Sequence, residues 1–366
     1  MPLKQFKRRL VKYSPFVKPT ILLVVLFVVI LLLIKALSPL FTFARQNNIS
    51  LKLVFSLLTS KDVPLKKYQD RTNVVILGIA GSSHDGPDLT DTIIFLSFDF
   101  TKHDVVLVSI PRDIWLPSIR DKINSAYHYG EKKKEGGGII MAKAAVEEVV
   151  GQPIHYAWVV DFSGFKKLID LVGGVDIVVE RGFVDEHYPI PGREDDTCGG
   201  DPKFACRYET LRFEKGLQHM DGERALKYVR SRQAEGDQGT DFARDSRQQQ
   251  VIVALKNKLF DLSFLKQLDK TKQLLSTLSE YSTSDMDLSE KILFSKFFLQ
   301  LKNQNIRKIV LDSGDENKKR AGFLVNPPLE EQYKNLWVLA PRTGNFDEIK
   351  EYVACQLKDP ACSLKP

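Results

Sequence analysis

From Arg230 to Gln248 the chain carries Arg230, Arg232, Arg244, Arg247 and Gln248 at close spacing, in the segment VRSRQAEGDQGTDFARDSRQQQ. An extended backbone at Arg230 and Arg232 puts both guanidinium groups on one face by alternation, and helical spacing from Asp241 onward stacks Arg244, Arg247 and Gln248 on one side. Guanidinium forks match phosphate oxygens two at a time, so the cluster reads as an anion clamp, and a diphosphate is the anion that would use most of it. The same residues also suit a solvated charged face paired with Asp237, Asp241 and Asp245, where ion pairs contribute little.

Three other segments can face this cluster. In VLVSIPRDIWLP a strand ends at Pro111 and delivers Arg112 and Asp113 to its rim, where α/β domains place ligands. In RDKINSAYHYG, Lys122 sits just ahead of a turn. The glycine-rich stretch GIAGSSHDGPDLTDTIIF holds His84, Asp85, Asp88 and Asp91 between two strands. Hard carboxylate oxygens beside arginines are the arrangement that binds Mg²⁺ bridging phosphate oxygens.

The elements that must position these side chains are legible as alternating types. NVVILGIA, DTIIFLSFD and DVVLVSIP are short apolar, β-branched runs bounded by turn residues, and YAWVVDF and GVDIVVE supply further strands. Helical periodicity runs over Gly138 to Val150, Ser163 to Val172 and Phe242 to Phe260. Strands interleaved with helices predict an α/β domain, a mixed central sheet with helices on both faces. Beyond it, residues 261–284 and DLSEKILFSKFFLQL read as helical, IRKIVL and NLWVLAP as strands, and Asn345 as the cap of a last helix, FDEIKEYVACQL.

Thr20 to Ile34 is unbroken apolar sequence and continues past Lys35 to Leu40, long enough for one transmembrane helix. It is longer than the core of a signal peptide, and no clean small-x-small cleavage site follows. Lys4, Lys7, Arg8, Arg9, Lys12 and Lys18 precede it with no acidic residue among them, which keeps the N-terminus cytoplasmic and places the rest outside. Those six cations account for most of the net charge of +7, so the remainder is close to neutral and nucleic acid is not its partner. Of the four cysteines, Cys198 with Cys206 and Cys355 with Cys362 bracket short loops and read as local disulfides, one of three possible pairings. The resulting partition is a basic tail over 1–19, a membrane helix over 20–40, a juxtamembrane linker over 41–72, an α/β domain over 73–260 and an α/β extension over 261–366.

The ordered set DGPDLTDTI, SIPRD, KINSAY, GGVDI, DGERALKYVRSR and DFARDSRQQQ, with the N-terminal anchor, resembles the LytR-CpsA-Psr family of membrane-anchored wall-assembly enzymes. The resemblance runs from about Asn73 to Leu259. It implies a Mg²⁺-dependent phosphotransferase that moves a glycopolymer from a polyprenyl-pyrophosphate carrier onto peptidoglycan. Asp91 looks like the family's metal-holding aspartate, Arg112 its Pro-Arg-Asp arginine, Lys122 its lysine, Arg230 and Arg232 its Arg-x-Arg pair, and Arg244 and Gln248 its helix-borne Arg and Gln. Arg247 falls on a second helix arginine, placed either toward substrate or against Asp113.

Two positions depart from the family pattern: Ala80 stands where an aspartate commonly follows the first strand, and Leu89 where an arginine often precedes the metal aspartate. Asp88 is then the expected second Mg²⁺ ligand, with Asp85 and His84 as the alternatives in the same loop. Three other functions use the same residues: hydrolysis of the polyprenyl pyrophosphate, a non-catalytic lipid-pyrophosphate or wall-binding module, and a membrane-tethered transcription regulator. The last is opposed by the near-neutral ectodomain charge and its expected side of the membrane.

Overall fold

The computed structural model describes residues 65–81, 87–259, 268–287, 289–291, 293–295, 306–315 and 320–364. The expected basic tail, membrane helix and most of the linker, together with His84 and Asp85, lie outside the described residues. Among the described residues no helix is long and apolar enough to cross a membrane. Two compact units divide the chain, and the sheet, helices and cavities belong to the one made of Pro64–Glu290 with Phe294–Pro366.

Strands β1 (Thr72–Ile79), β2 (Thr90–Asp99) and β3 (Asp104–Ser109) form an antiparallel meander, with Val75 opposite Phe95 and Leu96 opposite Leu107. The Asp99 carboxylate accepts from the Thr101 and Lys102 amides and closes the turn between β2 and β3. Helices α1 (Ser125–Lys133) and α2 (Gly137–Val150) then cross to β4 (Tyr156–Asp161), which lies parallel to β1, as a parallel pair requires. Asp161 ends β4 and caps α3 (Phe162–Leu171) by accepting from the Gly164 amide at 2.7 Å.

Outside the central sheet follow β5 (Val175–Val179), β6 (Phe183–Pro189), β7 (Tyr208–Phe213) and β8 (Gly216–Met220); the first pairs with the last and the middle two with each other. The run GVDIVVE is thus a strand, β5, but it alternates between buried and exposed positions beside β8. The chain continues through α4 (Gly222–Arg230), α5 (Asp241–Leu259), α6 (Leu268–Tyr281), β9 (Ser282–Ser284), β10 (Ile306–Val310) and α7 (Asp347–Lys358). The last helix is capped at Phe346 and not at Asn345 as expected; the Asn345 side chain, one residue earlier, accepts from the Asp347 amide at 3.0 Å.

The six-stranded sheet has the order β9, β4, β1, β2, β3, β10 and is mixed. Alternation sends Val75, Leu77, Phe95, Val106, Val108 and Val159 to one face, where they bury against Ala142, Val146 and Val149 of α2 and Ile349 and Val353 of α7. On the opposite pleat Phe98 meets Phe294 edge-on at 5.1 Å, and Ser109 Oγ accepts from Gln249 of α5 at 2.8 Å. A second apolar cluster joins α3 to the outer strands and α4, through Phe162, Ile169, Ile177, Phe213, Leu226 and Val229. The two local disulfides form, Cys198–Cys206 in the connection from β6 to β7 and Cys355–Cys362 at the end of α7.

The boundary expected after residue 260 is not a boundary of the fold. β9 pairs antiparallel with β4 and β10 lies parallel to β3, so both edges of the central sheet come from the segment read as an extension. The three residues of β9 and five of β10 are too few for periodicity to assign to a distant sheet. The same late segment reaches the functional residues: Leu339 donates to the Asp113 carbonyl at 2.9 Å and accepts from the Trp115 amide at 2.8 Å. Of NLWVLAP, only Ala340–Pro341 is a strand, paired with Leu324–Val325.

A chain ended at Leu259 would leave the edges of β3 and β4 unpaired and the α2 face without α7. It should lose the near-ultraviolet circular dichroism and cooperative thermal transition of the full chain. An unaltered transition would show that the residues beyond 260 fold apart.

Candidate active site

A cavity of about 250 Å³ lies at the junction of β2, the turn after β3, and helices α4 and α5. Asp91, Thr92, Arg112, Phe162, Asp185, Tyr188, Arg230, Arg232, Arg244 and Gln248 are among its lining residues. Pockets for whole small molecules run to roughly 300–1,000 Å³, so this one suits a compact charged headgroup and not a polymer. Six separate stretches of the chain meet there.

Asn124 ties two of those segments together. Its carbonyl accepts from both the Thr90 amide and the Thr90 hydroxyl at 3.2 Å, and its amide donates to the Arg112 carbonyl at 3.2 Å. The start of β2, bearing Asp91, is thereby held beside the turn bearing Arg112. The Arg112 guanidinium donates to Asp91 Oδ1 through one terminal nitrogen and to Asp113 Oδ2 through Nε at 3.3 Å. Burial works against its charge, but Asp91 and Asp113 outweigh that and hold its pKa above the ordinary value.

The Arg-x-Arg pair spans a helix end. Arg230 is the last residue of α4, Ser231 leaves the helix at φ −54° and ψ 131°, and both flanking arginines still line one cavity. The Arg230 guanidinium lies 4.5 Å from the ring centroid of Phe162 and has no carboxylate partner among the described residues. The Arg232 side chain is 42% exposed and its Nε approaches Asp241 at 3.3 Å. Burial, then repulsion from Arg112, lowers its pKa. Arg230, bonded to the neutral Tyr188 side chain, and Arg232, which meets its carboxylate through Nε, therefore keep positive charge to offer an incoming anion.

On α5, Arg244 and Gln248 turn to the cavity. Arg244 lies 2.7 Å from Asp241 Oδ1 and 3.4 Å from Asp245 Oδ1, yet its own Nε, Asp241 Oδ1 and Asp245 Oδ2 are buried without a hydrogen-bond partner. Burial pushes the Asp245 carboxyl up to about 6 despite Arg244. Arg247 sits about 60° round the helix from Arg244. It takes neither position considered for it. It donates to the carbonyls of Tyr228 at 2.8 Å, Gln238 at 3.0 Å and Ser231, and burial lowers its pKa to about 10.

Two other expected site residues stand back from the cavity. Lys122 donates to Asp113 Oδ1 at 2.6 Å, so it braces the carboxylate that braces Arg112. Asp88 lies 3.9 Å from His128 and is outside the lining. Sequence reasoning missed Asp185, which lines the cavity at 1% exposure; its segment FVDEHYP carries no spacing that marks it. It missed Asn124 as well, although the motif KINSAY contains it.

The donor set bears on the expected Mg²⁺. Ala80 is buried in the second apolar cluster, so no carboxylate enters from the end of β1. Among the described residues, one group of three metal-donor side chains forms, Asp196 with Cys198 and Cys206, and its sulfurs are already a disulfide. Asp91, with one oxygen bound to Arg112 and a side chain 31% exposed, is left facing the cavity. One carboxylate plus phosphate oxygens and water suffices for Mg²⁺, so the residues fit an ion that arrives with a diphosphate. Among the described residues the lining holds no cysteine or histidine, and burial raises the pKa of its tyrosine, Tyr188.

A family model described as the LytR_cpsA_psr family matches residues 43–339. The chain is 31% identical over 231 residues to a protein of Oceanobacillus iheyensis named polyisoprenyl-teichoic acid–peptidoglycan teichoic acid transferase TagU, covering 62% of each. To the Bacillus subtilis transferase of the same description, TagV, it is 27% identical over 250 residues, covering 66% of this chain and 57% of that one. The chain thus spans about three fifths of the length of these curated relatives. The crystal structure of B. subtilis TagV superposes with a TM-score of 0.54 at 23% identity, over 80% of this chain and 99% of the other, which shows a shared mixed α/β fold.

The Asp245 carboxyl gives this site a pH signature. Folded, it keeps its proton to about pH 6, whereas unfolded it releases it near 3.8. The native state therefore binds more protons across that window, and its stability falls as pH rises through it. Relative to Asp245→Asn, the wild-type melting temperature should climb as pH drops from above about 6 toward 4. Parallel melting curves for the two proteins would mean that the carboxyl is ionised throughout.

Proposed function

The chain belongs to the LytR-CpsA-Psr family, and from that footing we propose that it is a phosphotransferase moving a glycopolymer from a polyprenyl-pyrophosphate carrier onto peptidoglycan. The observation that carries this reading is the gathering of Asp91, Arg112, Arg230, Arg232, Arg244 and Gln248, from separate segments, around one cavity of headgroup size. The names of the similar proteins, transferases of teichoic acid between a polyisoprenyl carrier and peptidoglycan, support the same substrates. In this reading the apolar run 20–40 is a single-pass anchor and the α/β fold works outside the membrane.

The forks of Arg230 and Arg232 take the diphosphate oxygens, and the fixed guanidinium groups of Arg112 and Arg244 complete the neutralisation. A hydroxyl oxygen of the wall glycan attacks the sugar-side phosphorus, the bond to the bridging oxygen breaks, the electron pair leaves with the prenyl phosphate, and that phosphate takes up the hydroxyl proton. The arginines are fixed before substrate arrives, so they stabilise that growing charge without reorganising. Mg²⁺ held by Asp91 and phosphate oxygens would supply further neutralisation of the leaving phosphate when bound. Gln248 offers an uncharged donor and acceptor on the same wall as Arg244.

Removal of the Arg232 fork is the direct test, because its side chain is half-exposed and its loss should spare the fold. Full-length Arg232→Ala in detergent, given Mg²⁺, lipid-linked donor and peptidoglycan, should transfer glycan roughly 10²–10³-fold more slowly, as for loss of one charge-stabilising donor. Transfer at the wild-type rate would remove Arg232 from the clamp. Omitting peptidoglycan separates transfer from hydrolysis, and a wild-type chain with no turnover of the donor would leave only a binding module.

A further inference from the structure

We infer that Asp185 is a positioning residue for the arginine clamp, fixing the loop that holds Arg230 and Arg232 at their working separation. The inference rests on the diphosphate reading of the cavity. Asp185 lies on β6, 1% exposed, and forms a one-residue bridge to Ala234 just beyond the Arg-x-Arg pair. Its Oδ2 accepts from the Ser231 hydroxyl at 2.6 Å and from the amides of Arg232 and Gln233, each at 3.2 Å. Its Oδ1 accepts from the His187 amide at 3.1 Å.

The need for such a partner follows from where α4 stops. Once Ser231 leaves helical geometry, the next two amides lose their helical acceptors in a place where Ser231 is fully buried. Arg247 holds the carbonyl of Ser231 while Asp185 holds its hydroxyl, so the residue between the two clamp arginines is gripped from both sides. A carboxylate suits this task and an amide does not. Both Asp185 oxygens face donors, whereas asparagine must turn its own N–H groups toward either His187 or the Ser231–Gln233 donors. With the loop unpinned, Arg230 and Arg232 no longer share a fixed spacing, and the entropy of ordering them falls on ligand binding.

The test is a double-mutant cycle on the full-length chain in detergent, reading the affinity for geranyl pyrophosphate with Mg²⁺ by calorimetry. Asp185→Asn should weaken binding by about 10–100-fold, the usual effect of losing a partner that orients a ligand-holding side chain. In an Arg230→Ala, Arg232→Ala background the same change should cost less than about threefold, because the side chains it positions are gone. Its shift in melting temperature should be alike in both backgrounds. Ser231→Ala, which deletes one of the bonds and leaves the charge, should weaken binding in the same direction but less, and it serves if Asp185→Asn does not fold. Unchanged affinity in Asp185→Asn, or in Ser231→Ala where that variant stands in, overturns the inference, as does a full additive loss in the arginine-less background. A wild-type chain that does not bind the probe overturns the diphosphate reading and this inference with it.

Discussion

Guanidinium groups gathered in one small cavity repel one another, and burial raises the cost of each charge. Arg232 shows both effects, since burial, Arg112 and Arg244 together hold its charged form below its ordinary stability. The fold meets this by interleaving carboxylates with three of the four arginines. Asp91 and Asp113 hold Arg112, Asp241 stands between Arg232 and Arg244, and Asp245 lies beside Arg244. Arg230 is set apart, stacked on Phe162, which fixes its plane without neutralising it. The array is therefore assembled without a ligand and still has charge to offer one.

Where the sequence was informative, it was so because chemistry and position coincide in a motif. Arg112 follows a strand that ends at a proline, and Arg244 and Gln248 share a helix face, so spacing gave each a face while the family resemblance put them in one site; all three line one cavity. Lys122 and Arg247 look identical to their neighbours by those criteria, yet one braces Asp113 and the other grips three carbonyls. Local spacing predicts which face a side chain occupies but not whether a backbone oxygen or a ligand waits there. Asp185 was illegible for the converse reason, because its partners are created by the end of α4, far along the chain. The core strands of the sheet announced themselves by unbroken apolar runs and β10 by IRKIVL, while the three polar residues of β9 lay inside a stretch read as helical.

The residues behind the cavity form two linked braces. One runs from Lys122 through Asp113 to Arg112 and Asp91, and the backbone of Asn124 sets its two ends side by side. The other grips Ser231 between Arg247 and Asp185. Both rest on buried charge, which is costly unless paired and hydrogen-bonded. Ala80 fits the same pattern: an apolar residue at the end of β1 spares the site a further carboxylate, and of the two acidic lining residues Asp185 is spent on the loop after α4 while Asp91 is 31% exposed.

The position of the edge strands along the chain also orders events in time. Every cavity-lining residue is made before β9 and β10, the strands that finish the sheet supporting them. Until residue 284 has emerged β4 carries an open hydrogen-bonding edge, and β3 until residue 310, the kind of surface that pairs with other chains if left uncovered. Such long-range strand pairing is slow, since the closure entropy must be met before the contacts that offset it form. A nascent chain that has already made every arginine of the array therefore still lacks both edges of the sheet that supports it.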